Sequence, residues 1–155
     1  MATQTHANTF TIQRRVPFGD TDAAGSLFFS HAVRYCLEAL EQWFIDRLGT
    51  DWFHLNADRQ IGSPFVHAEF DFHSAATPRE SLELTVAVTT VGRSSAEFTV
   101  TACAVPSSQI CWVGRFKCVF VSTATRRSIP IPDEFRRQFE RDAALAEQGP
   151  KNPTV

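Results

Sequence analysis

Phe18-Gly19-Asp20-Thr21-Asp22-Ala23-Ala24-Gly25-Ser26-Leu27-Phe28-Phe29-Ser30-His31 decides how this chain is read. It sets two acids two residues apart, passes through small residues, and enters a long helical pattern through an aromatic pair. The first turn of a helix carries unpartnered N–H groups and a partial positive charge, which together can stabilise an oxyanion. A carboxylate just ahead of it can serve as a base or a nucleophile. Asp before a helix also does ordinary turn and capping work. The stretch therefore points to carbonyl chemistry without fixing it.

After the turn, Val33, Cys36, Leu37, Leu40, Phe44 and Leu48 recur at steps of three and four, which predicts a helix over Ser30–Leu48. Gly49 is placed to stop it. Before the turn, Phe10–Phe18 reads as a strand with Phe10, Ile12 and Arg14 on one face, ended by Pro17 and Gly19. Thr50–Arg59 is irregular, with room for a short helix or lid around Trp52 and Phe53. Ile61-Gly62-Ser63-Pro64 breaks the chain and launches a strand over Phe65–His73. Strict alternation there sets Phe65, His67, Glu69, Asp71 and His73 on one face and Val66, Ala68, Phe70 and Phe72 on the other.

Ser81–Val91, Ser95–Val105 and Ile110–Val121 alternate in the same way and are joined by short turns, so they read as an antiparallel meander. A polar helix is expected from about Asp133 to Glu147, and a flexible tail from Gly149 to Val155. One strand, a long amphipathic helix and then four strands predict a single α+β domain over residues 1–155, its helix packed on one antiparallel sheet. Such a sheet leaves edge strands, which commonly pair across a dimer.

The 155 residues suffice for a real core, and fourteen Phe against one Tyr and one Met suggest a core or pocket of flat rings. A net charge of -2 argues against a nucleic-acid binder. No apolar run reaches membrane-spanning length, and Met1–Asn8 lacks the order of a signal peptide, so a cytoplasmic protein is expected. Cys36, Cys103, Cys111 and Cys118 show no CxxC spacing and read as reduced thiols.

The motif at 18–25, the aromatic pair Phe28-Phe29, the helix and Ile-Gly-Ser-Pro at 61–64 resemble the hotdog-fold acyl-CoA thioesterases, in particular the 4-hydroxybenzoyl-CoA thioesterase type. The resemblance covers Phe10–Val121. It implies a curved antiparallel sheet wrapped around a long central helix, and a homodimer or homotetramer with its active site at the subunit interface. It also implies an acyl-CoA substrate and no cofactor. The catalytic carboxylate falls on Asp22, the turn on Gly25 and the carbonyl-binding N–H on Phe29. Arg93 falls where basic residues face the CoA phosphates, although here it stands alone, with Arg126 and Arg127 as possible help. Leu37 sits where the 4-hydroxybenzoyl enzyme carries an acid, which departs from that type.

Bland roles stand beside the functional ones. Asp20 reads as turn scaffolding. His31, in the first helical turn, either contacts substrate or water or simply packs. Ser63 either assists near the thioester or serves its turn, and Glu38 either orients water or faces solvent or a partner. Phe28, Phe65, Trp52 and Phe53 are candidate walls of an acyl pocket. His67, Glu69, Asp71 and His73 invite a metal reading, but lying on one strand they lack convergence from several elements, so no metal site is expected. A non-catalytic acyl-CoA-binding module is the alternative. A carrier-protein thioesterase is another; it would need a basic dock, for which Arg126-Arg127 and Arg136-Arg137 are the candidates.

Overall fold

The computed structural model describes residues 9–148. The first strand, β1, spans Phe10–Arg15, and its inward residues are Phe10, Ile12 and Arg14 as the alternation requires. It is shorter than expected, because a 3-10 turn at Phe18–Asp20 takes over after Pro17. The central helix α1 runs Phe29–Trp43 and continues as a π turn over Phe44–Leu48. Gly49 ends it with φ of +69°, the left-handed conformation glycine adopts without penalty.

A short helix α2 (Trp52–Ala57) follows, with Asp51 accepting from the His54 N–H at its start. The remaining strands are β2 (Ile61–Gly62), β3 (Phe65–Phe72), β4 (Ser81–Val91), β5 (Ser95–Val105), β6 (Ile110–Val119) and β7 (Val121–Ser122). The five long strands form one antiparallel sheet in the order β1-β4-β5-β6-β3, and β2 pairs with β7 alongside. The last helix, α3, spans Asp133–Gln148. This is the hotdog arrangement that the resemblance implied.

The core lies between α1 and the inner face of the sheet. Helix α1 buries Ala32, Tyr35, Cys36, Ala39, Leu40 and Trp43, and the strands answer with Leu82, Leu84, Val86, Phe98, Val100 and Phe116. Each large apolar side chain so buried is worth about 1.5–3 kcal/mol in transfer free energy. Helix and sheet pack tightly at Gly114, where an added Cβ would stand 2.9 Å from the Phe70 ring and 3.3 Å from Cys36 Sγ. The Trp112 Nε1 donates to that same sulfur at 3.3 Å. All four thiols are free, and burial pushes Cys36 and Cys118 up to about 12.

Two expectations need correction. Strand β3 is not strictly alternating: a bulge between Phe65 and His67 turns Phe65 onto the inner face, where it and Phe70 both pack on Phe116. The outward row is then His67, Glu69 and Asp71, and both acids accept from Arg115 Nη1, at 3.1 and 2.6 Å. Helix α3, expected to be polar, buries Phe135, Phe139 and Asp142 against Trp43, Phe98 and Phe120. Its polar composition hid an apolar stripe at four-residue spacing. The tail expected to be flexible lies outside the described residues. No described helix is long and apolar enough to cross a membrane.

Candidate active site

The acid-bearing turn is a compact knot of backbone hydrogen bonds. Asp22 N donates to Ser26 O at 2.9 Å and Gly25 N donates to Asp22 O at 3.0 Å. Gly25 has φ of +75°, and a Cβ there would meet nothing within 4 Å, so backbone conformation alone favours glycine. Asp22 Oδ1 accepts from Ala24 N at 2.9 Å, an Asx turn. Its Oδ2 accepts no hydrogen bond among the described residues, and Asp22 is exposed. One carboxylate oxygen thus fixes the side chain while the other stays available.

Asp20 works inward. Its carbonyl accepts from Phe28 N at 3.0 Å, which ties the turn to the start of α1. Its carboxylate accepts from Tyr35 Oη at 2.6 Å and from Arg34 through the same oxygen, and His31 Nε2 lies 3.9 Å from the other. The Tyr35 hydrogen bond holds the Asp20 carboxyl below its ordinary range. Arg34, His31 and Arg14 add to that, while burial opposes it. Tyr35 is itself pushed up to about 12, by burial first and then by its acid partner. The expectation that Asp20 scaffolds the turn thereby gains named partners.

The α1 N-terminus carries no side-chain cap. His31 N donates to Phe28 O at 2.9 Å, but the N–H groups of Phe29 and Ser30 have no acceptor among the described residues. Such open donors beside a carboxylate suit a developing oxyanion. A groove of about 310 Å³ adjoins this end, with Leu27, Phe29, Phe72, His73, Ala76 and Trp112 in its wall. Phe28 and Phe29 are 44% and 62% exposed at this end of the helix.

Of these wall residues, Phe72, Ala76 and Trp112 had no signal in the sequence. The Leu27 N–H donates to Ala76 O at 2.8 Å, which ties the loop before β4 to the turn. His31 leans toward Asp20 and packs edge-on to Phe28, with ring centroids 6.2 Å apart. Glu38 is engaged by Arg14 at 2.8 Å.

The predicted site residues do not meet within the chain. Arg15 and Ser81 pair at the end of the sheet nearest the turn. Strand β4 then runs to Val91, roughly 33 Å away at 3.3 Å per residue. Asp22, Gly25, Phe28, Phe29 and His31 gather at the first end. Ser63, Phe65 and Arg93 lie at the other: Phe65 faces Cys118 late in β6, and Arg93 sits in the β4–β5 hairpin. Ser63 is buried there, Trp52 stacks edge-on to Phe65 at 5.8 Å, and Phe53 is 80% exposed.

The fold and this turn define the hotdog thioesterase class. Residues 16–139 match the thioesterase-like superfamily, and the chain belongs to that family. A thioesterase superfamily protein from Jannaschia sp. CCS1 superposes with a TM-score of 0.81 at 34% identity, over 92% of this chain and 97% of that one. The 1,4-dihydroxy-2-naphthoyl-CoA hydrolase of Synechococcus elongatus is 36% identical over 85 residues, which are 54% of this chain. That match spans only 62% of the hydrolase's own length. The enzyme of the same name from Synechocystis sp. is 27% identical over 83% of this chain and 92% of its own.

Proposed function

We propose that the protein hydrolyses acyl-CoA thioesters of hydroxylated aromatic acids, with Asp22 as nucleophile or general base. The observation that carries this reading is the free Asp22 Oδ2, held by its Asx turn ahead of an uncapped helix N-terminus. In this scheme the thioester carbonyl accepts from Phe29 N–H, and the acyl group lies in the groove walled by Phe72 and Trp112. Asp22 then either attacks the carbonyl, forming a mixed anhydride that water opens, or takes a proton from the attacking water. In either route the oxyanion collapses and expels the CoA thiolate.

The naming of two curated relatives as 1,4-dihydroxy-2-naphthoyl-CoA hydrolases favours a bicyclic acyl group over 4-hydroxybenzoyl. Leu37, an apolar residue packed on the core where the 4-hydroxybenzoyl type has an acid, weighs against that acyl group.

The complete site is assigned to a homodimer, either alone or within a homotetramer. Among the described residues strand β3 is an unpaired edge, with Val66 59% and Phe72 52% exposed. Antiparallel pairing of two β3 edges reverses one protomer against the other. It brings the Ser63, Phe65 and Arg93 end of one beside the Asp22 end of its partner, which resolves the separation seen within one chain.

A thiol-release assay tests the function across 1,4-dihydroxy-2-naphthoyl-CoA, 4-hydroxybenzoyl-CoA and straight-chain acyl-CoAs. The aromatic thioesters are expected to turn over fastest, and saturable binding without turnover across the panel would instead identify a binding module. Single turnover in oxygen-18 water separates the two routes, because label entering Asp22 requires the anhydride.

A further inference from the structure

Of the arginine pairs that offered a basic dock in the sequence, Arg136-Arg137 splits its roles in the structure. Arg136 is committed: its Nη2 donates to Gly92 O at 3.0 Å and to Arg93 O at 2.7 Å, clamping the β4–β5 hairpin. Arg137 lines a separate groove of about 530 Å³, together with Arg47 from the end of the central helix, Arg59 after α2, and Arg141. Arg59 is paired with Glu134 and lies over the Phe135 ring, 4.9 Å from its centroid. Arg47 Nε is 3.6 Å from the buried Asp142, is closed to water and makes no hydrogen bond.

Arg137 and Arg141 stand one turn apart on α3 and form no ion pair among the described residues. Like charges at that spacing repel. In a chain of net charge -2, four guanidinium groups around one groove, balanced by two carboxylates, make a local positive excess. Arginine forks match phosphate oxygens two at a time, and the volume suits a small molecule. The groove lies beyond the far end of the central helix from Asp22, roughly 27 Å along it at 1.5 Å per residue.

We propose that this arginine groove binds a diphosphate-bearing small molecule. The ligand chemistry has two sources: the nucleotide end of an acyl-CoA reaching from a thioester site, or a free diphosphate. Only the first source rests on the thioesterase reading.

Calorimetry on the full chain at fixed ionic strength, with pyrophosphate, CoA and sulfate, tests the site. Pyrophosphate and CoA are expected to bind at least roughly tenfold tighter than sulfate, and the double variant Arg137→Gln/Arg141→Gln to lose that margin. The double lysine variant, which keeps charge but not the fork, falls between them. Pyrophosphate binding no tighter than sulfate, or unchanged in the glutamine variant, overturns the proposal. So does capture of an apo acyl carrier protein without pyrophosphate affinity.

Steady-state kinetics then assign the source. A raised KM for acyl-CoA, with no change for the same acyl group on N-acetylcysteamine, identifies the nucleotide of the substrate. Unchanged KM for both, with pyrophosphate binding lost, identifies a free diphosphate. If no thioester turns over, calorimetry still decides the site.

Discussion

Tyr35 donates its hydroxyl to Asp20 Oδ2 at 2.6 Å, joining the buried face of the central helix to the turn that presents Asp22. Tyr35→Phe removes this donor while Arg34 keeps its bond to the same oxygen. The expected loss is about 1.5 kcal/mol of unfolding free energy, measured by urea titration. The pH dependence has a definite sign. Asp20 is held below its ordinary carboxyl value in the folded state, so its contribution is complete above about pH 4 and fades as pH falls through the folded value. The gap between wild type and Tyr35→Phe is therefore full at neutral pH and closes in acid; a gap that widened in acid would refute this role for Asp20.

Asp22→Asn keeps an oxygen for the Ala24 N–H and loses the charge. Its melting temperature is expected to match wild type, while thioester turnover falls ~10²- to 10⁴-fold. Near-full turnover would remove Asp22 from the chemistry. Gly25→Ala is the complementary probe: its Cβ enters open space, so the cost is the left-handed backbone alone, ~1–2 kcal/mol in stability. Gly25→Asn is expected to cost less, since Asn tolerates that region.

The strands of the meander and the central helix were legible because their side chains face one core with clean periods of two and of 3.6. Phe98, Val100 and Ala102 are buried in alternation with half-exposed Thr99 and Thr101, as the pattern required. Phe65 was misplaced because a bulge adds one residue without any local marker, and one residue reverses every face before it. Helix α3 was misjudged because its apolar positions, Phe135 and Phe139, are outnumbered by charges on the remaining faces. The candidate site was half legible. The turn announces itself through Asp22 and Gly25, but the wall beside it comes from two distant segments, Phe72 to Ala76 and Trp112, that only the folded sheet brings together.

Asp142 is the hidden fastening of α3. It is 8% exposed and accepts from Trp43 Nε1 and Gln138 Nε2, each at 2.8 Å, with Arg47 3.6 Å away. Asp142→Ala orphans a buried indole N–H and strips Arg47 of its counter-charge. The expected destabilisation is ~3 kcal/mol, read from the denaturant midpoint. Trp43→Phe combined with Asp142→Leu leaves no indole donor unpaired, so the pair of changes is expected to cost less than the sum of the single ones.

The β3 edge offers the last test, because it separates a protomer that folds alone from a site that works alone. Val66 and Phe72 are exposed on an eight-residue strand with no neighbour on its outer side among the described residues. Lysine at both positions discourages edge pairing, and at Phe72 it also removes a ring stacked on Phe70 at 6.0 Å. Light scattering is expected to give a dimer or tetramer for wild type and a monomer for Val66→Lys/Phe72→Lys, with unchanged far-ultraviolet dichroism. Phe72 also lines the groove beside the helix N-terminus, so Val66→Lys alone serves as the control for assembly. If the site is shared, turnover falls in parallel with the dimer fraction and recovers as protein concentration rises. Full activity in a monomeric Val66→Lys variant would place the whole site within one chain and discard the shared interface.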